Sequence, residues 1–324
     1  MNTGKKLLLG ALCGIALLQA PALAGDYPVK PVRIIVPFGP GGANDMVARV
    51  LSEPLSADLG QAVIVENRPG ASTIIGANVV ARAEPDGYTL LLSGSSTYTV
   101  LPALSRSLPY DTLRDFDLLG VVADLPMVLV TNAAGPIQSA PQVLERARSE
   151  PGKLTYATYG TGSVTHLMGE IFSMVADVEL SPVPYRGSAQ AVLGVMGSEV
   201  DIAPDTLAAT LPRIQSGHLR ALASFGPRRV AQLPDVPTMA ELGLPDATFS
   251  GWIAIALPKG TPPEVRQRLS RALEKAMASD PVRQALDKAA MLPVFLPEAP
   301  FKTRVEQEIG TFKKVAAQAN IVLE

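Results

Sequence analysis

Two short loops in this sequence carry residue types that hold an anion without a charged side chain. The first is Phe38-Gly39-Pro40-Gly41-Gly42-Ala43-Asn44-Asp45. It stands between a strand-like run, Val32-Arg33-Ile34-Ile35-Val36, and a run with helical spacing. Glycines let backbone approach a ligand closely, and a helix start offers unpaired N–H groups with partial positive charge. An anion suits that arrangement. The same residues also make a tight turn in which Asn44 or Asp45 merely caps the helix. No Gly-Lys-Ser/Thr follows, so the loop is not a phosphate-binding P-loop. The second loop is Thr158-Tyr159-Gly160-Thr161-Gly162-Ser163, again between strand and helix. Thr165 stands where a dinucleotide fingerprint would have its third glycine, and no acidic residue follows in the right context. Its hydroxyls and N–H groups suit a carboxylate, or Thr161 or Ser163 simply caps the next helix.

Other polar stretches are weaker candidates. Ser93-Gly94-Ser95-Ser96-Thr97 follows a strand and reads as a turn or as a hydroxyl-lined edge of a site. Ala71-Ser72-Thr73, after Arg68-Pro69-Gly70, is similarly ambiguous. Tyr185-Arg186-Gly187-Ser188 offers an aromatic wall and a further helix start, and would otherwise be a surface loop. Asp205 follows a strand, where it contacts a ligand amine or hydroxyl, or starts a helix. Catalytic patterns are missing: there is no Gly-x-Ser-x-Gly elbow. His166 and His218 have no second histidine or cysteine at ligand spacing, so no metal or other cofactor is expected. His166, one turn into a helix, reads as a structural hydrogen-bonding residue rather than a base.

The elements that must position these loops alternate short strands with helices, as in α/β sheets with mostly parallel strands. Met46, Val47, Val50, Leu51 and Leu55 mark one face of a helix. Residues 63–65 and 88–92 read as strands, with a turn over 67–70 and a helix over 75–83. The grammar repeats with strands at 127–130, 154–157, 200–203 and 219–224, and helices at 140–148 and 165–175. Residues 252–257 are strongly strand-like, and 262–279 and 301–319 are amphipathic helices without a sheet of their own. They are expected to pack back on the N-terminal sheet. That gives a discontinuous first domain, 25–124 with 226–324, and a second domain, 125–225. The chain crossings near Asp124 and Phe225 form a hinge.

Composition narrows the function. Residues 1–24 read as a signal peptide: Lys5 and Lys6, an apolar run from Leu7 to Leu18, and Ala22-Leu23-Ala24 for cleavage. That run is shorter than the ~20 residues needed to span a bilayer. Leu12 before the single cysteine, Cys13, argues against a lipid anchor. The part after Ala24 then has no cysteine, so burial rather than disulfides holds it together. With 28 basic and 30 acidic residues the net charge is −2, which argues against nucleic acid as a partner.

The sequence also resembles the tripartite tricarboxylate transporter receptors, or Bug proteins, which are extracytoplasmic solute-binding proteins. The likeness runs from Asp26 to the C-terminus. It includes Tyr27-Pro28, Val36-Pro37-Phe38 with Pro40-Gly41-Gly42, and Val65-Glu66-Asn67-Arg68-Pro69-Gly70. It continues in Pro85-Asp86-Gly87-Tyr88-Thr89-Leu90, Val183-Pro184-Tyr185-Arg186-Gly187-Ser188 and Leu233-Pro234-Asp235-Val236-Pro237-Thr238. The resemblance implies a two-domain type II periplasmic-binding-protein fold that closes on its ligand like a Venus flytrap. It implies that Phe38 to Asp45 and Thr158 to Ser163 hold a ligand carboxylate, one loop from each domain. Ser72, Ser95, Ser96, Tyr185, Gly187 and Ser188 match positions near the family cleft. The sequence departs from the family pattern in the loop Thr158-Tyr159-Gly160-Thr161-Gly162-Ser163, at Ala71-Ser72-Thr73-Ile74 and at Ala203-Pro204-Asp205-Thr206. The expected protein is a monomeric periplasmic receptor, not an enzyme, that delivers a small carboxylate to the membrane subunits of a tripartite transporter. The alternatives are a ligand-sensing partner of a membrane histidine kinase and a periplasmic hydrolase. A hydrolase needs a positioned base and a polarising group, and the sequence shows neither.

Overall fold

The computed structural model describes residues 27–160, 163–318 and 321. The signal-peptide segment lies outside the described residues, as do Thr161 and Gly162. The chain builds two mixed sheets. In the first, β1 (Val32–Val36) leads through helix α1 (Ala43–Leu59) to β2 (Val63–Asn67), and α2 (Ile74–Ala81) leads to β3 (Thr89–Gly94). Two short helices, α3 (Leu101–Leu104) and α4 (Thr112–Asp115), precede a long strand, β4 (Phe116–Leu125). The second sheet begins with β5 (Met127–Asn132) and α5 (Ala140–Ser149). It continues with β6 (Thr155–Thr158), α6 (Val164–Ala176), β7 (Ser181–Pro184), α7 (Ser188–Met196), β8 (Ile202–Thr206), α8 (Leu207–Gln215) and β9 (Leu219–Ser224). The chain returns to the first sheet at β10 (Gly251–Pro258), then forms α9 (Pro263–Ala278), α10 (Asp280–Lys288), β11 (Leu292–Pro297) and α11 (Glu298–Gln318).

The order of the first sheet is β11-β4-β10-β3-β1-β2, with β1 parallel to both its neighbours and β10 antiparallel to both of its own. Side chains alternate across it with a period of two. Ile34, Leu90, Leu92, Ile253 and Ile255 pack under α1 and α9. Ile35, Leu91, Trp252 and Ala254 face the opposite side with Tyr98 and Phe301. A sheet covered on both faces needs apolar residues at successive positions, and this is why the central strands β3 and β10 read as near-continuous apolar runs. The second sheet, β7-β6-β8-β5-β9, alternates likewise: Met127 and Leu129 enter one core, Val128 and Val130 the other.

The spacing of the sequence does not reveal β4 and β11. β4 carries Asp117 and Asp124. Asp117 is buried but accepts from the N–H groups of Gly260 and Thr261, at 2.9 and 3.1 Å, and pairs with Lys259 at 2.9 Å. β11 carries Pro293 and Pro297, which are tolerated because it is an edge strand. α9 packs on the first sheet. α11 does so only through its first half, with Phe301 and Val305. Its second half places Phe312, Val315 and Ala316 in the core of the second sheet. Met239, Leu244, Ala247 and Phe249 pack there too, so the return to the first sheet falls at Ser250–Gly251, beyond Phe225.

Candidate functional site

A cleft of about 780 Å³ opens between the two sheets. The first sheet's side contributes Phe38, Gly41, Gly42, Ala43, Met46 and Met291. The second contributes Tyr159, Ser188, Leu193, Thr206 and Arg213, with Ala189, Val192, Ala208 and Ala209 between them.

The first loop is built around Asp45. Its side chain is buried and accepts from Gly41 N–H at 2.9 Å, from Arg49 at 3.0 Å to each oxygen, and from Asn67 Nδ2 at 2.9 Å. Asn67 Nδ2 also donates to the Phe38 carbonyl at 3.1 Å. The bonds from Arg49, Gly41 and Asn67 outweigh desolvation and hold the Asp45 carboxyl at about 2, below its ordinary value. Asp45 is therefore a brace for the loop, and its charge is consumed behind the cleft wall. Gly41 has φ +84°, a left-handed conformation open to glycine at little cost. The N-cap of α1 is Gly42, which supplies no side-chain cap. The N–H groups of Ala43, Asn44 and Asp45 accordingly find no acceptor among the described residues. They stand at the positive end of a 17-residue helix.

The second loop is organised differently. Ser163 caps α6, its Oγ accepting from His166 N–H at 3.3 Å. Tyr159 N–H donates to Thr165 Oγ1 at 2.9 Å, and Gly160 N–H to Thr158 Oγ1 at 3.1 Å. The described part of this loop is largely satisfied from within. On the same side of the cleft, the N-cap of α7 is Gly187, at φ +138°, which also supplies no side-chain cap to the first N–H groups of that helix.

Asp205 lies within β8 rather than after a strand, and it is fully buried. Its carboxylate accepts from the Tyr159 hydroxyl, from Ser188 Oγ at 2.9 and 3.0 Å, and from Thr206 N–H at 2.6 Å. Burial raises its pKa above the ordinary carboxylate value, and these donors offset only part of that rise. Asp205 thus ties together the loop before α6 and the starts of α7 and α8.

Of the other candidates, Ser95 is buried and Ser72 is exposed, and neither joins the described lining. Ser96 opens a π-turn that runs into α3. Pro40, Asn44, Thr158, Gly160 and Tyr185 flank the cleft loops without lining them. Tyr185, like Val183 and Tyr159, packs against the second sheet's core. His166 stacks on Tyr156 at 6.5 Å, and burial lowers its pKa. Arg213 and Met291 were not legible as site residues. Arg213 sits in the last turn of α8, and Met291 just before β11, two elements the spacing did not mark. Arg213 is the one charged side chain in the described lining. No acid lines the cleft there, so the surface suits an anion with a largely apolar body.

Comparison with known proteins agrees with this architecture. Residues 47–318 match the model of the tripartite tricarboxylate transporter family receptor. Protein BugT of Bordetella pertussis is 38% identical over 328 residues, covering 100% of both chains. The solved periplasmic binding protein BugD is 31% identical with a TM-score of 0.79, over 92% of this chain and 100% of that one. An R. palustris protein solved with adipate is 32% identical with a TM-score of 0.82, over 92% and 99%. The fold is that of the periplasmic binding proteins, and the chain belongs to the tripartite tricarboxylate transporter receptor family, whose members are solute-binding receptors rather than enzymes.

Proposed function

We propose that this receptor captures a small carboxylate in the cleft between its sheets and hands it to the membrane subunits of a tripartite transporter. The observation that carries the reading is the uncapped start of α1. Three backbone N–H groups without acceptors among the described residues stand at the positive end of a helix, beside a cleft whose described lining holds no acid. The adipate held by a relative of the same fold is in keeping with it. Asp45 and Asp205 are braces behind the walls in this reading, and Gly41, Gly42 and Ala43 are the contacts. The two bodies close by bending where the chain crosses between sheets, at Leu125–Met127 and at Ser250–Gly251. The mature protein acts as a monomer in the periplasm.

A thermal-shift panel of mono-, di- and tricarboxylates tests the reading. A ligand at 100 times its dissociation constant adds ~2.7 kcal/mol to stability, so a binding acid raises the melting temperature by several degrees. A panel in which no acid shifts the transition would remove the carboxylate assignment.

A further inference from the structure

The hydroxyl groups along the cleft hold their protons in a fixed arrangement. A hydroxyl has one proton to donate and two lone pairs to accept with. The Tyr159 hydroxyl donates its proton to Asp205 Oδ1. Ser188 Oγ donates to the same carboxylate, 3.0 and 2.9 Å from its two oxygens. Thr206 Oγ1 accepts from Ala209 N–H at 3.3 Å, and its own proton is directed at Asp205, 3.4 Å away. Asp205 is fully buried, so water does not compete for these bonds. What the three side chains retain for a ligand is lone pairs. Among the described residues, the donors left in the cleft include the backbone N–H groups at the starts of α1 and α7 and the Arg213 guanidinium. Phe38, Met46, Val192, Leu193 and Met291 make up much of the rest of the wall and offer no strong polar group.

We propose that Asp205 is a specificity-determining positioning residue: by taking the protons of Tyr159 and Ser188 it makes their oxygens acceptors, and so selects carboxylates whose body carries a hydroxyl or an ammonium group. The inference rests on the carboxylate reading above and deepens it. A carboxylate group accepts only, so it is turned away from these oxygens and towards the helix starts. A donor on the ligand body supplies the proton that Ser188 and Tyr159 lack. The negative charge of Asp205 behind them favours an ammonium further. An unsubstituted acid leaves these oxygens facing methylene groups, having lost their water without gaining a partner.

The test is calorimetric titration with acids of matched skeleton: succinate, malate and aspartate, then glutarate, 2-hydroxyglutarate and glutamate. Within each set the donor-bearing acids are expected to bind about three- to tenfold more tightly than the unsubstituted one, as for one neutral hydrogen bond. Ser188→Ala removes an acceptor and should bring that ratio close to one. Asp205→Asn should also lower it, because the amide N–H₂ donates to one hydroxyl and frees that proton towards the cleft. The ratio is the readout, since a merely loosened cleft weakens all acids alike. If circular dichroism shows Asp205→Asn to be unfolded, Tyr159→Phe beside Ser188→Ala decides the matter. An unsubstituted acid that binds as tightly as its donor-bearing partners overturns this inference and leaves the carboxylate reading standing. So does a ratio that survives both Ser188→Ala and Tyr159→Phe. Failure of all six acids, and of a wider carboxylate panel, overturns the carboxylate reading itself and this inference with it.

Discussion

Ala43 occupies the first position of α1, where proline is accepted because its φ already suits a helix and the N–H it lacks is unbonded in any case. Ala43→Pro should therefore fold while deleting one donor from the proposed anion site. A hydrogen bond to a charged group is worth roughly 1.5–3 kcal/mol, so affinity should fall by about 10- to 150-fold. Arg33 is a useful control. It is exposed on β1 and engaged with Thr89 Oγ1 at 3.1 Å and Glu66 at 3.6 Å, and Arg33→Ala should leave affinity nearly unchanged. Titration calorimetry of both variants measures this, and a folded Ala43→Pro protein of normal affinity would displace the site from α1. Asp45 makes a second prediction at this scale. Its folded pKa of about 2 lies below the unfolded value of ~3.9. The stability it contributes is complete above the unfolded value and disappears as pH falls from about 4 through 2. The melting-temperature advantage of the native protein over Asp45→Asn should be full at pH 6 and largely gone near pH 2. An advantage that persists at pH 2 would mean that the ionised carboxylate does not hold the loop.

Helix α11 shows what an element can do beyond its own sheet. Its first half buries Phe301 against Trp252 and Tyr98, at ring distances of 5.2 and 5.9 Å. Arg304 then bonds Asp124 at 2.9 Å and the Ser250 carbonyl at 3.3 Å, which fastens the helix to both chain crossings. Glu308 accepts from Trp252 Nε1 at 2.8 Å and from Thr99 Oγ1 at 3.0 Å. One turn later Phe312 packs against Phe249 at 5.8 Å, inside the core of the second sheet. A helix that serves both cores is a structural member of each. Phe312→Ala should destabilise the protein by about 3–5 kcal/mol, the usual cost of emptying a buried aromatic site. Urea denaturation followed by circular dichroism reads this directly, and a loss below about 1 kcal/mol would mean that the second core closes without α11. The amphipathic spacing of residues 301–319 showed that the helix exists. It did not show that its two ends serve different sheets, because a helical stripe records burial and not the identity of the neighbour.

For the whole molecule the expectation is closure. The proposed contacts come from loops attached to separate sheets, joined through the crossings at Leu125–Met127 and Ser250–Gly251. Small-angle scattering should give a smaller radius of gyration with saturating ligand than without it, and an unchanged radius would count against a hinge.

The sequence by itself determined the family and many of the local elements, though not β4, α8 or β11. Val32–Val36 followed by a glycine loop and a helical stripe at Met46, Val47, Val50 and Leu51 is a strand–loop–helix unit wherever it is placed, because those preferences act over a few residues. It also left Ser163 with two readings, and the geometry shows the capping bond to His166. Only the tertiary structure decided which polar groups remain open to a ligand. Tyr159, Ser188 and Asp205 are separated by up to 46 residues, and nothing in their spacing says that one carboxylate takes both hydroxyl protons. Arg213 and Met291 reach the cleft only because α8 and the approach to β11 are carried there by packing. A hydroxyl's role as donor or acceptor depends on the neighbour that holds its proton, and that neighbour is set by the fold rather than by the chain.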